Sequence, residues 1–388
     1  MSDKRPLALI ILDGWGHSEN TAGNAVALAH TPNYDEISRK YPKTLLAAAG
    51  SRVGLPSGAA GSAEVGHLNL GAGRIIETDV ARILNSIKTG DFFENKVLKR
   101  AFEWAKAENS AVHLIGLLSD GNINSSPESL FALLRYAKYE GIEKVFLHCI
   151  LDGRDVAPRT ADVYVEALEI KLADIGIGKI ATLCGRFYAM DEDQNWERTA
   201  RAFTMLTHSE GGRATDPVAA IRAAFLRGIS DEYIQPIILE DKMGEPVACV
   251  ESGDVVIFFN HRAAPMRQLV KSLAVSNSGN LNKPDVRAIG LIEYDRAFNL
   301  PAAFRQENQN SVLAEVFAEN GILNCRITET DGYARLTYFF NGGVDLEYEC
   351  ERRMTVNSPE KTTFETQPER SVFKVTDKLL RALEAGEN

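Results

Sequence analysis

The sequence predicts an α/β protein built mostly on parallel sheet. Its strand candidates are short, continuous apolar runs such as Ala111–Leu118 and Lys144–Leu151, as expected for strands buried on both faces. Between them lie stretches with apolar residues at helical spacing, such as Asn95–Ala107. At 388 residues and 45% hydrophobic, the chain is long enough for two domains and a sizeable core.

The elements follow in order. The charged start leads into Leu7–Leu12, which is too short for a signal peptide, lacks a cleavage site, and reads as a first strand. Thr44–Ala49 is a second strand candidate. Helix Asn95–Ala107 then precedes strand Ala111–Leu118. Ser125-Ser126 caps a helix over Pro127–Tyr139, with proline in its first turn. Strand Lys144–Leu151, helix Thr160–Leu172 and strand Lys179–Cys184 continue the alternation. Helices Trp196–Leu206 and Ala214–Arg227 come next, then strands Val255–Asn260 and Arg287–Ile292, flanking a turn-rich surface loop at Ser276–Pro284. A last helix covers about Ser371–Ala385. An alternating pattern of this kind places active groups at the carboxyl ends of the strands.

Charge narrows the function classes. Lys and Arg total 43 against 53 Asp and Glu, a formal net charge of −10. That balance argues against nucleic acid or an anionic membrane as the main partner, while leaving room for a local basic pocket. No apolar run is long enough to span a bilayer. The five cysteines, Cys149, Cys184, Cys249, Cys325 and Cys350, are scattered and odd in number, which suits buried free thiols in a reducing cytoplasm.

Several segments carry chemistry. Leu9-Ile10-Ile11-Leu12-Asp13-Gly14 is an apolar run ending in an acid. A second segment is Gly61-Ser62-Ala63-Glu64-Val65-Gly66-His67-Leu68-Asn69-Leu70-Gly71-Ala72-Gly73-Arg74. Asp152-Gly153-Arg154-Asp155 follows a strand: an arginine can grip carboxylate or phosphate with two N–H groups, and a carboxylate can accept a hydroxyl proton. The plain alternative for this pair is a structural salt bridge. Gly185-Arg186-Phe187-Tyr188 follows another strand, and Asn260-His261-Arg262 a third.

Together these segments, spread over nearly the whole chain, resemble the cofactor-independent phosphoglycerate mutases of the alkaline-phosphatase-like superfamily. The resemblance implies an α/β fold in which a phosphatase-like domain, residues 1–76 plus 311–388 and C-terminally short, carries an inserted α/β transferase-like domain at 77–310. It implies substrate contacts at Asp152, Arg154, Asp155, Arg186 and Arg262. In that family a serine before Glu-Val-Gly-His carries the phosphoryl group; Ala63 stands there, and a methyl group cannot be phosphorylated. Ser62 is the one neighbouring substitute, although adjacent helical residues differ in direction by roughly 100°. Further departures are Asn124 for a substrate-binding histidine, His261 for an aromatic residue, Glu192 and Pro265 for arginines, Ala264 for an acid and Gly332 for a lysine. His261 receives no role at this stage.

The family also implies a two-metal site, of whose ligands only Asp13 has a counterpart here. No histidine lies beyond His261. One carboxylate holds a divalent cation weakly, so residual manganese or zinc at Asp13 is the most that this pattern implies. These losses lead to the expectation of a pseudoenzyme with a degenerate active site: a mutase-like binding or regulatory homologue without 3-/2-phosphoglycerate interconversion of its own. Two other readings stay open. One is an enzyme acting on a different small phosphorylated or carboxylated acid. The other is half of a split mutase completed by a partner chain. An open sheet edge on the short domain would invite self-association or a protein partner.

Overall fold

The computed structural model describes residues 6–275, 283–305, 309–359 and 366–385. The predicted surface loop at Ser276–Pro284 lies outside these, save its last two residues. The chain divides into two units: Met1–Thr78 with Glu307–Asn388, and Asp79–Gln306.

The second unit carries the sheet. Its strands are β1 (Val112–Leu118), β2 (Val145–Leu151), β3 (Lys179–Gly185), β4 (Gly212–Ala214), β5 (Ile237–Leu239), β6 (Val255–Phe258), β7 (Arg287–Ile292) and β8 (Ala302–Phe304). They form one eight-stranded sheet in the order β4-β5-β3-β2-β1-β6-β7-β8. All neighbours are parallel except β3 and β5. Every residue of β1 is buried, which is why it reads as an unbroken apolar run rather than an alternating one. The chain runs from β1 outward through β2 to β3, then returns to the other side of β1 for β6 and β7. The order therefore reverses between β1 and β6, and the crevice at such a point is where ligands bind in open α/β sheets.

The helices start and stop where local chemistry dictates. Asn95 accepts hydrogen bonds from the amides of Val97 and Leu98, and the helix Lys96–Glu108 ends at Asn109, whose φ is +49°. Pro127 opens the helix Pro127–Glu140 and Gly141 closes it in the left-handed conformation. The predicted helix over Ala214–Arg227 begins later, at Pro217, because Asp216 caps it by accepting from the Ala219 amide; Ala214 belongs instead to β4. Helices Ala161–Ile175 and Trp196–His208 complete the cover close to the predicted ranges.

A chain of hydrogen bonds crosses the sheet core. Asp254 Oδ2 lies 3.1 Å from His113 Nε2, His113 Nδ1 lies 2.9 Å from His148 Nε2, and His148 Nδ1 lies 2.9 Å from Thr182 Oγ1. With Asp254 ionised, one direction satisfies every atom: Thr182 donates to His148, His148 to His113, and His113 to Asp254. The β2–β3 register shifts between Leu147 and His148, at the point this chain bridges. Burial, and next the adjacent His113, push the His148 pKa well below its usual value.

In the first unit, β9 (Asn324–Glu329) and β10 (Glu351–Val356) form a parallel pair, with helix Val372–Glu384 nearby in sequence. Helix Ala63–Ala72 packs closely enough that a Cβ on Gly71 would sit 1.9 Å from the Phe340 carbonyl oxygen. Only glycine allows that approach. Buried Arg326 bonds to Asn341 Oδ1 at 2.7 Å and to Glu351 at 3.2 Å, and Glu351 also accepts from Arg353 at 2.6 Å. The expected strands Leu7–Leu12 and Thr44–Ala49 are corrected: both segments are irregular, with Leu7 97% and Leu46 78% exposed. A strand forms only where a neighbour takes up its N–H and C=O groups, and no ladder among the described residues includes these segments. No helix among the described residues is long and apolar enough to cross a membrane.

The buried histidine chain has a measurable consequence. Below about pH 6.5 the unfolded chain takes up a proton at His148 that the folded chain refuses, so stability is full above that pH and falls beneath it. The urea midpoint is expected to drop between pH 7 and 5. In His148→Gln the drop should be shallower by about 1.4 kcal/mol per pH unit. Identical pH slopes in the two proteins would refute the assignment.

Candidate functional site

In the second unit the predicted residues meet at the carboxyl ends of β1, β2 and β3. Asp152 follows β2 directly and is buried; its Oδ1 accepts from the backbone amides of Arg154 at 3.1 Å and Asp155 at 2.9 Å, which folds the Gly153-Arg154 turn. Arg186 follows β3 and reaches back across the sheet end. Its Nη1 donates to Asp152 Oδ1 at 2.6 Å and to Asp155 Oδ1 at 2.8 Å. Burial works against the arginine's charge, yet bonds to Asp155 and Asp152 more than offset it and raise its pKa above the usual value. Asn124, in the loop after β1, donates from Nδ2 to Asp155 Oδ2 at 2.6 Å. Three strands thus contribute to one hydrogen-bonded cluster.

The other two predicted arginines stand apart from that cluster. Arg154 and Arg262 are exposed, and neither guanidinium makes an ion pair among the described residues. Arg186 is therefore held in an ion pair with two carboxylates, while the Arg154 and Arg262 side chains reach solvent. Of the predicted Arg154-Asp155 pair, Asp155 is in an ion pair, with Arg186, and Arg154 is not.

Some residues that build the site carried no signal in the sequence. Buried Asp231 accepts from the amides of Arg159, Thr160 and Ala161, the latter two at 3.0 and 2.6 Å, and so anchors the loop that follows Asp155. Asp191 collects bonds from Gln268, Asn195 and Arg198; burial alone would raise its pKa, but these bonds pull it down to about 2. Glu192 beside it is exposed. An isolated aspartate in a loop has no spacing that would reveal either task.

Several buried atoms at this site lack partners among the described residues: Asp152 Oδ2, Asn124 Oδ1 and both ring nitrogens of His261. Leaving such a group unmet costs about 1–3 kcal/mol, so a polar ligand or water is expected to complete them.

In the first unit, Ser62 is the N-cap of helix Ala63–Ala72 and is exposed; its Oγ accepts from the Val65 amide at 3.3 Å. Ala63 is the first helical residue. The hydroxyl next to the family's serine position therefore sits at the positive end of a helix dipole. Asp13 pairs with Arg335 at 3.1 Å, and His67 Nδ1 lies 3.9 Å from it while bonding to the Ala63 carbonyl at 2.7 Å. The resemblance implies two metals, and the residues present do not fit them. Among the described residues no group of three or more His, Cys, Asp or Glu side chains converges, and Asp13 is already neutralised by a guanidinium.

Comparison with known proteins bears on the reading of these features. Residues 83–296 match the family model described as BPG-independent PGAM N-terminus. The chain is 44% identical over 387 residues to the 2,3-bisphosphoglycerate-independent phosphoglycerate mutase of Methanococcoides burtonii, covering 99% of this chain and 75% of that one. It is 44% identical over 384 residues to the protein of the same name from Moorella thermoacetica, covering 98% and 75%. Among solved structures it matches Leishmania mexicana phosphoglycerate mutase at low cobalt concentration with a TM-score of 0.74 and 26% identity, covering 94% of this chain and 69% of that one. These matches overturn the expectation of a binding or regulatory pseudoenzyme with a degenerate site. The losses that suggested it include one, Ala63, that leaves a hydroxyl only one residue away. The same matches lend no support to an enzyme for a different acid or to half of a split mutase.

The Arg186 cluster can be tested on its own. Arg186→Met should leave two buried carboxylates uncompensated and lower the unfolding free energy in urea by about 3–5 kcal/mol. A loss below 1 kcal/mol would show that the pair contributes little.

Proposed function

The chain belongs to the BPG-independent phosphoglycerate mutase family, and from that premise we propose that it interconverts 3-phosphoglycerate and 2-phosphoglycerate without added 2,3-bisphosphoglycerate. The observation that carries this reading is the 42–44% identity to curated mutases along 98–99% of the chain. The substrate is a small trianionic hydroxy acid. The exposed guanidinium groups of Arg154 and Arg262 suit its phosphate and carboxylate. The Asp152–Arg186–Asp155 cluster is close to charge balance with one carboxylate in excess, so it suits the substrate's alcohol better than its anions.

Phosphoryl transfer needs a hydroxyl to hold the group between its two positions. Ala63 cannot do so, and Ser62 supports the role best: it is exposed, and it caps a helix whose first amides favour a phosphoryl anion. In the first half of the reaction the Ser62 Oγ–P bond forms as the substrate O–P bond breaks. In the second, the vacated glycerate takes the group on its other hydroxyl and Oγ–P breaks. In the first half the Ser62 proton goes to the substrate oxygen that releases the phosphoryl group, and in the second the proton of the attacking glycerate hydroxyl goes to the freed Oγ. Asp13 and Arg335, in the same unit, are paired at 3.1 Å beside the Asp13-Gly14 turn.

Phosphorus NMR of 3-phosphoglycerate incubated with the purified chain tests the activity, and 2-phosphoglycerate is the expected product. Ser62→Ala should slow its appearance by at least about a thousandfold, and mass spectrometry of quenched wild type should find phosphate on Ser62. Failure of the wild type to produce 2-phosphoglycerate would overturn the function; full activity in Ser62→Ala would overturn the acceptor. Arg154→Ala is expected to weaken binding of 3-phosphoglycerate by about tenfold or more in calorimetry.

A further inference from the structure

His261 is only 7% exposed, and neither of its ring nitrogens has a hydrogen-bond partner among the described residues. Its position is set by its backbone, whose N–H donates to the Asn124 carbonyl at 2.8 Å. From Asn124 the bonds continue to Asp155, Arg186 and Asp152. Burial lowers the His261 pKa to about 4, against the smaller opposing pull of the Asn122 and Ile123 backbone, which the ring approaches without the geometry of a full hydrogen bond, and of the Asp155 carboxylate. At neutral pH the ring is therefore uncharged, with one N–H donor and one acceptor nitrogen.

The unmet atoms of this cluster have a common chemistry. Asp152 Oδ2 and Asn124 Oδ1 are acceptors, and His261 adds one acceptor and one donor. A phosphate or carboxylate brings acceptors, so it would leave most of these atoms unsatisfied and add charge beside two carboxylates. An alcohol brings an O–H to donate and lone pairs to accept. We propose that His261 is a specificity-determining residue that hydrogen-bonds the free hydroxyl of the phosphorylated hydroxy acid, an inference that rests on the phosphoglycerate reading above. The His261 backbone bond to the Asn124 carbonyl holds the ring beside the residue that donates to Asp155.

The test compares calorimetric binding of 3-phosphoglycerate with that of 3-phosphonooxypropanoate, the same acid without its hydroxyl. Wild type should prefer the hydroxy acid by about tenfold or more, and His261→Phe should bind both acids alike. His261→Gln, which keeps a donor and an acceptor, should retain much of the preference, and the double variant Asn124→His/His261→Phe should regain it. A general loss of structure would weaken both acids in parallel and leave the ratio untouched, so the ratio reports the contact itself. If His261→Phe does not fold, His261→Leu carries the same comparison. Discrimination unchanged in these variants, or absent in wild type that binds both acids, overturns the role of His261 alone. Wild type that binds neither acid overturns the phosphoglycerate reading and this inference with it.

Discussion

Arg186 ties the ends of two adjacent parallel strands together. Its guanidinium sits between Asp152, at the end of β2, and Asp155 in the following turn, while Arg186 itself begins the turn after β3. Buried carboxylates this close would repel one another and lose their hydration without a cation between them. Once the cation is in place, the rest of the site is constrained. Asp152 folds the turn that exposes Arg154, and Asp155 receives Asn124 from the end of β1. A buried ion pair of this kind is a weak source of net stability, while breaking it by removing one partner is costly.

The sheet makes that meeting reproducible. Parallel strands have no hairpin to set their register, and β2 and β3 change register at Leu147/His148. The line from Thr182 through His148 and His113 to Asp254 joins β3, β2 and β1 to the start of β6 by side chains as well as by main chain. All four strands deliver site residues from their carboxyl ends. The polar line within an apolar core is thus a register device placed upstream of the chemistry, satisfied at every atom because the low local dielectric makes an unmet group expensive.

Ala63 shows how a missing residue can mislead. Judged by position, it removes the phosphoryl carrier, and the other departures seemed to join it in a general decay. In the structure the hydroxyl nearest that position is Ser62, the cap of the same helix, which is why the proposed carrier falls there. The departures look different too once placed: Glu192 is exposed beside the buried Asp191, and His261 is bonded to Asn124 through its backbone. The identity of the chain to mutases along almost its full length agrees with function kept through rearrangement.

The sequence by itself determined the α/β class, the five longer strands and five of the helices of the second unit to within a few residues, and the segments from which site residues come, because burial on both faces writes unbroken apolar runs and capping writes local polar punctuation; the three-residue strands β4, β5 and β8 and the helices Asp79–Thr89 and Arg267–Ala274 left no such mark. It could not assign Leu7–Leu12 and Thr44–Ala49, since apolar composition permits a strand but a neighbouring strand must be present to complete it. It named Arg154, Arg186 and Arg262 alike, and only tertiary structure separated a buried cation neutralised by two carboxylates from two exposed ones. Asp231 and Asp191 were silent for the same reason, and His261 was named without a role. Their roles arise from partners tens of residues away, and a side chain's charge, burial and unmet hydrogen bonds are properties of where the fold puts it, not of the letters beside it.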